Sequence, residues 1–316
     1  MKSKGFTERT SHHTPQRREL IMTRKIIAAL FALNTVLFAG AVQSYAQENE
    51  REIMSVPPPI EPSYLFTIPA GRVVRSLDLD VAASGIFLGE GGGKPVGTSA
   101  ILGLGDIAEV EIGAMEMVSS LGGSKRVHSV PAGGLRVYVS GWKYWHGISA
   151  AFRRSGTHEE RVDGVWYEEK VGNFSVMASL ANFLTPEEGN EVAGGWQGIK
   201  VKTHLGMIYV DPRITPSPQK AQGFWKPFGG FELWRKDSRA RIMGELGWNA
   251  DFQPGGRIEQ IWMATGGVRF FFSKHVTADI GVKHQSNQQG LSESVMQFKL
   301  RMSFPTHLLR ERIVGH

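Results

Sequence analysis

The stretch Met296-Gln297-Phe298-Lys299-Leu300-Arg301-Met302-Ser303-Phe304 decides the fold. Met296, Phe298, Leu300, Met302 and Phe304 share one parity, and Gln297, Lys299, Arg301 and Ser303 share the other. In a strand these sets stand on opposite faces, one apolar and one polar. Upstream, Val276, Ala278, Ile280 and Val282 oppose Thr277, Asp279 and Lys283, and Ile242, Gly244 and Leu246 oppose Arg241 and Glu245. Ile199, Val201, Thr203, Leu205 and Met207 oppose Lys200, Lys202 and His204 in the same way. Near the start of the series Leu77, Leu79 and Val81 alternate with Asp78 and Asp80, and Val110 and Ile112 with Glu109 and Glu111. A soluble barrel keeps its apolar side chains inside. Charge on one face of strand after strand, with apolar residues on the other, points instead to an all-β, closed antiparallel transmembrane β-barrel with its polar face inward.

Twelve strand candidates follow: 74–88, 97–104, 107–118, 130–140, 143–153, 168–181, 196–210, 226–235, 239–249, 257–272, 275–285 and 294–304. Short connections near Gly105-Asp106, Gly141-Trp142, Lys236-Asp237 and Ser273-Lys274 alternate with longer polar ones, as in barrels with tight periplasmic turns and long outer loops. The long 184–195 connection breaks the pattern, so about 12 strands are expected, with 10 to 14 compatible. All eight Trp lie between 142 and 262, mostly near strand ends, which suggests an interfacial girdle.

Arg24 and Lys25 precede an apolar run, 26–42, and then Ser44-Tyr45-Ala46, the layout of a signal peptide over 22–46 cleaved before Gln47. The run is long enough for a membrane anchor, but its flanks fit a signal, and Met22 fits a start better than Met1 does. Residues 1–46 carry seven Lys/Arg and two Glu. Without them 36 less 7 leaves 29 basic residues and 30 less 2 leaves 28 acidic ones, so +6 falls to +1. The basic pI then gives no argument for nucleic acid as a partner. The absence of cysteine excludes disulfides and thiolate metal sites. Pro57-Pro58-Pro59 make 47–72 read as an extended periplasmic linker, 73–304 is the barrel, and 305–316 reads as a periplasmic tail.

The inward parity assigns a lumen lining of both charge signs: Asp78, Asp80, Glu109, Glu111, Arg136, Lys200, Lys202, Arg241, Glu245, Arg269, Lys283, Lys299 and Arg301. Such a set either lines a small solute path or pairs across the lumen and plugs it. No metal-binding spacing stands out, no cofactor motif is present, and Gly91-Gly92-Gly93-Lys94 lacks the rest of a phosphate loop.

At the end of the penultimate strand stands His284-Gln285-Ser286-Asn287, with His284 and Ser286 on the lipid-facing parity. An imidazole beside a serine hydroxyl is the pairing that serine needs to become a nucleophile. This element resembles the His-x-Ser-Asn motif of the PagL family of lipid A deacylases and of outer membrane phospholipase A. The resemblance covers the last hairpin and implies Ser286 as nucleophile, His284 as general base and Asn287 as an oxyanion contributor. The family's orienting acid lies on the final strand, and the nearest acid here is Glu293, on the other parity. Phe304 resembles the terminal aromatic by which the barrel-assembly machinery recognises its clients, although twelve residues follow it.

The expected protein is therefore an outer-membrane barrel in contact with membrane lipids and lipopolysaccharide. It serves as a small-solute channel or a structural envelope protein, with lipid A or phospholipid ester hydrolysis by Ser286 and His284 as the alternative.

Overall fold

The computed structural model describes residues 61–88, 94–141, 145–181, 199–218, 223–235 and 238–305. The expected leader (1–46), residues 47–60, the 184–195 connection, Gly91 to Gly93 and the residues beyond Pro305 lie outside them. In chain order the strands are β1 (Asp78–Leu88), β2 (Lys94–Leu104), β3 (Ala108–Ser119), β4 (Arg126–Ser140), β5 (Trp145–Ser155), β6 (His158–Val162), β7 (Val165–Ala181), β8 (Ile199–Thr215), β9 (Phe224–Arg235), β10 (Ala240–Gln253), β11 (Arg257–Phe271), β12 (Val276–Gln285) and β13 (Val295–Pro305). Twelve of them close a ring. Neighbours in sequence pair antiparallel, β5 pairs with β7, and β1 closes on β13 from Asp78↔Pro305 to Leu88↔Met296. The additional strand, β6, forms a hairpin with the start of β7 (His158↔Glu169 to Val162↔Val165) beyond the ring.

The wall is inside-out relative to a soluble protein. Asp80, Glu109, Arg136, Lys202, Arg269 and Lys283 are buried, while Val137, Ile148, Leu205, Ile242, Val282 and Leu300 are exposed. Closing the ring gives each of its strands a partner on both sides, which a structure in hydrocarbon requires. On the outer face Phe152, Phe174, Tyr209 and Trp225 are successive cross-strand partners on β5, β7, β8 and β9. They make one arc of an aromatic belt near the loop end.

The wall is not round to the top. β2 follows β3 only up to Ser99↔Gly113, and β9 follows β10 only up to Gly229↔Leu246. Beyond these points the tips of the β3–β4 and β10–β11 hairpins lean inward and meet. Val118 and Ser119 pair in parallel with Asp251 and Phe252, and the Ser120 N–H donates to Phe252 O at 2.7 Å. β3 and β10 stand six places apart around the ring in either direction, so the contact spans a diameter. Period-two burial accordingly gives way to continuous burial at Met117 to Ser119 and Asn249 to Phe252.

Two expectations are corrected here. Residues 61–72, read as a linker outside the barrel, lie in the lumen, where Ser63, Leu65, Phe66, Ile68 and Ala70 are buried. Lys200, read as lumen-lining, is exposed, because it sits one residue inside the first pair of β8 at the end of the barrel where β1 begins and β13 ends.

Candidate functional site

The lumen is the site, and its occupant is the chain itself. Residues 61–76 fold into the barrel as a tight reversal, with a Tyr64↔Pro69 bridge, Leu65 N donating to Ile68 O and Ala70 N to Ser63 O. Leu65, Phe66 and Ile68 pack on Met177, Phe228 and Met243. Burying side chains of that size contributes roughly 1.5–3 kcal/mol each. Two wall glycines make room for them. A Cβ at Gly230 would stand 2.5 Å from Leu65 Cδ1, and one at Gly281 would stand 2.8 Å from the Phe66 ring.

The remaining contacts run from wall charges to the backbone of this segment. Arg136 donates to Ser63 O at 2.7 Å, Ala70 O at 3.1 Å and Arg72 O, and pairs with Glu109 at 3.0 Å. The other Glu109 oxygen accepts from Val74 N at 2.8 Å. Arg269, held by Asp279, donates to Tyr64 O at 2.9 Å and Leu65 O at 3.1 Å, and Lys299 donates to Phe66 O at 3.0 Å. Glu245 accepts from Thr67 N, Thr67 Oγ1 and Ile68 N. Tyr64 donates to Glu111, which also pairs with Arg153 at 2.7 Å. Glu61 meets Lys202 at 3.1 Å and Arg241 at 3.5 Å. Burial works against the Glu61 carboxylate, but Lys202 and Arg241 outweigh it and hold its pKa below the ordinary value. Burial raises the Tyr64 hydroxyl.

All the sequence-assigned lumen residues except Lys200 and the half-buried Lys299 are buried. Above the plug the inward-leaning hairpins divide the lumen into two lobes. One is filled by Met115, Met117, Val130, Val171, Val210, Ile214, Phe224 and Phe252. The other is more polar. A cavity of about 100 Å³ remains there between the plug and β1, β2, β3 and β13, lined by charged groups such as Glu111, Glu116, Arg153 and Lys299 and by apolar ones such as Phe66, Ile86 and Met115. Across this lobe Glu116 pairs with Lys283 and accepts from Gln285 Nε2 at 3.2 Å. Asp251 accepts from Ser120 at 3.0 Å and from Asn287 at 2.8 Å. The cavity has room for a few waters.

The four residues of the hydrolase reading are drawn to different partners. His284 Nδ1 is 3.0 Å from Ser294 Oγ, and its ring lies 5.6 Å from that of Trp262. Ser286 is exposed, and its hydroxyl accepts from Trp262 N at 3.1 Å. The Asn287 side chain turns to Lys125 and Asp251. Glu293 accepts from Gln289 N at 2.8 Å. Among the described residues no hydrogen bond joins His284 to Ser286 or to Glu293.

Sequence reasoning missed the plug and also a cluster of His128, His158 and Glu160, whose ligand atoms lie within 4.8 Å of one another. The plug carries no periodic signal, because the wall grips its carbonyls and amides. The cluster joins residues thirty positions apart, through β4, β5 and β6.

No family model matches the chain, and no curated protein matches it significantly. Among solved structures, the translocator domain of the autotransporter NalP from Neisseria meningitidis aligns over 87% of this chain and 97% of its own, at 11% identity and a TM-score of 0.33. A bacterial polysaccharide outer membrane secretin aligns over 73% and 99%, at 12% identity and 0.32. The anion-selective porin from Comamonas acidovorans aligns over 66% and 59%, at 10% identity and 0.27. Likeness at this level assigns no function. The wall itself places the protein: a closed antiparallel barrel, charged within and apolar without, is an outer-membrane β-barrel.

Proposed function

We propose that the protein is a small-solute channel of the outer membrane, held closed by its own N-terminal segment. The observation that carries this reading is the plug's attachment: wall side chains bond to backbone atoms of 61–74 at both signs of charge, around a short apolar turn. Water can replace each of these polar partners when the segment leaves, so release exposes a wall that is charged outside the Met177, Phe228 and Met243 patch. Both signs line the remaining cavity, which fits weak ion selectivity.

Planar-bilayer conductance of the intact chain beside a variant lacking 47–72 tests the proposal. The intact protein is expected to conduct rarely and the shortened one steadily. A shortened barrel that inserts, keeps its heat-modifiable gel mobility and still passes no current would leave the structural role. The hydrolase alternative requires Ser286 and His284 to meet, and their present partners are Trp262 and Ser294. Loss of a lipid acyl chain that depends on Ser286, seen by mass spectrometry of the membrane, would establish it against this proposal.

A further inference from the structure

Over the apolar lobe, at the loop end of β4, the projecting strand β6 brings His158 and Glu160 against His128. The His128 and His158 rings lie 4.1 Å apart between centroids, at 34°. His128 Nε2 stands 3.8 Å from Glu160 Oε2. Glu160 is held from behind, for Oε1 accepts from Arg126 at 2.7 Å and Oε2 from the Ser119 hydroxyl at 3.4 Å. His158 Nε2 is buried without a hydrogen-bond partner among the described residues, a costly state for a ring nitrogen. Glu160 keeps a side-chain exposure of 10% and His128 one of 21%, so the group is reachable from the loop side.

We propose that His128, His158 and Glu160 bind a divalent transition-metal ion, with Zn²⁺ the best match. Two imidazoles and one carboxylate oxygen suit zinc and its neighbours, whereas Ca²⁺ and Mg²⁺ seek oxygen alone. Ligand atoms on a tetrahedral zinc stand about 3.3 Å apart, so small side-chain rotations close the present spread, and a water takes the fourth place. His158 Nε2, without a partner among the described residues, would give its lone pair to the ion. Arg126 occupies the other Glu160 oxygen and leaves the carboxylate to bind through one. Because His128 is on β4 and the other two ligands are on β6, the ion ties β6 down over the mouth.

The test uses the full chain folded in detergent and stripped with chelator, titrated with Zn²⁺ by calorimetry and with Co²⁺ by visible absorption. One site per chain and a tetrahedral Co²⁺ spectrum are expected. Affinity should fall at least tenfold in His158→Ala and in Glu160→Gln, with unchanged heat-modifiable mobility. His158→Gln, which keeps size and polarity, serves if the alanine variant folds poorly. Equal binding by the wild type and a His128→Ala/His158→Ala double variant would mean an adventitious ion only and would overturn the proposal. Displacement of Zn²⁺ by millimolar Ca²⁺ would overturn the choice of metal class.

Discussion

Arg136 places one buried guanidinium against three carbonyls of the plug and the buried Glu109 carboxylate of the wall. Arg136→Ala leaves Glu109 buried without its cation, an arrangement that costs about 3–5 kcal/mol. The variant should unfold at lower temperature and conduct more often, while Arg136→Lys, which keeps charge but loses the fork, should fall between. Thermal loss of heat-modifiable mobility and single-channel recording measure the two effects. Gly71 offers a cleaner lever on the plug alone, since a Cβ there would stand 2.1 Å from Ser179 Oγ. Gly71→Val is expected to expel the segment without loosening the wall, seen as increased conductance and new trypsin cleavage at Arg72, and Ser179→Gly should partly restore closure. Parity made Arg136 and its wall neighbours legible in the sequence. It could not show that their partners are carbonyls, which every residue carries.

The elements separate into those that alternate and those that do not. Twelve strands were legible because each lies between unlike media. β6, with His-Glu-Glu-Arg-Val projecting beyond the lipid, has no such contrast and reads as loop. The plug was hidden for a related reason, because the prolines before it suggested an extended tether. Its docking should depend on pH through Glu61. The folded pKa of Glu61 lies below the ordinary carboxylate value, so its contribution is complete above the unfolded value near 4.5 and is lost as pH falls through the lowered one. Conductance is therefore expected to rise on acidification below about 4.5, and Glu61→Gln should raise it at neutral pH and flatten that rise. In the polar lobe Glu116 and Lys283 bar the cavity that remains. In a barrel lacking 47–72, Glu116→Ala should increase conductance, whereas Val210→Ala, in the filled lobe, should leave it nearly unchanged.

The ring as a whole closes without the backbone of its contents. β1 to β5 and β7 to β13 pair with one another all the way round, so deletion of 47–72 should still give a barrel that is compact on an unboiled gel and shifts on boiling. Closure and sidedness of the wall were legible, since they repeat in every hairpin. The pinch was not, because Met115, Val130, Val171 and Val210 announce only an oily neighbour, and membrane and filled lobe look alike to a sequence. The bond of β3 to β10 has a geometric outcome for transport. It stands in the opening as a mullion stands in a window, and one of the two panes is glazed shut with methionine, valine and phenylalanine. In the proposed channel a solute must fit the remaining pane, so the exclusion limit would be set by half an aperture and stay narrow even without the plug.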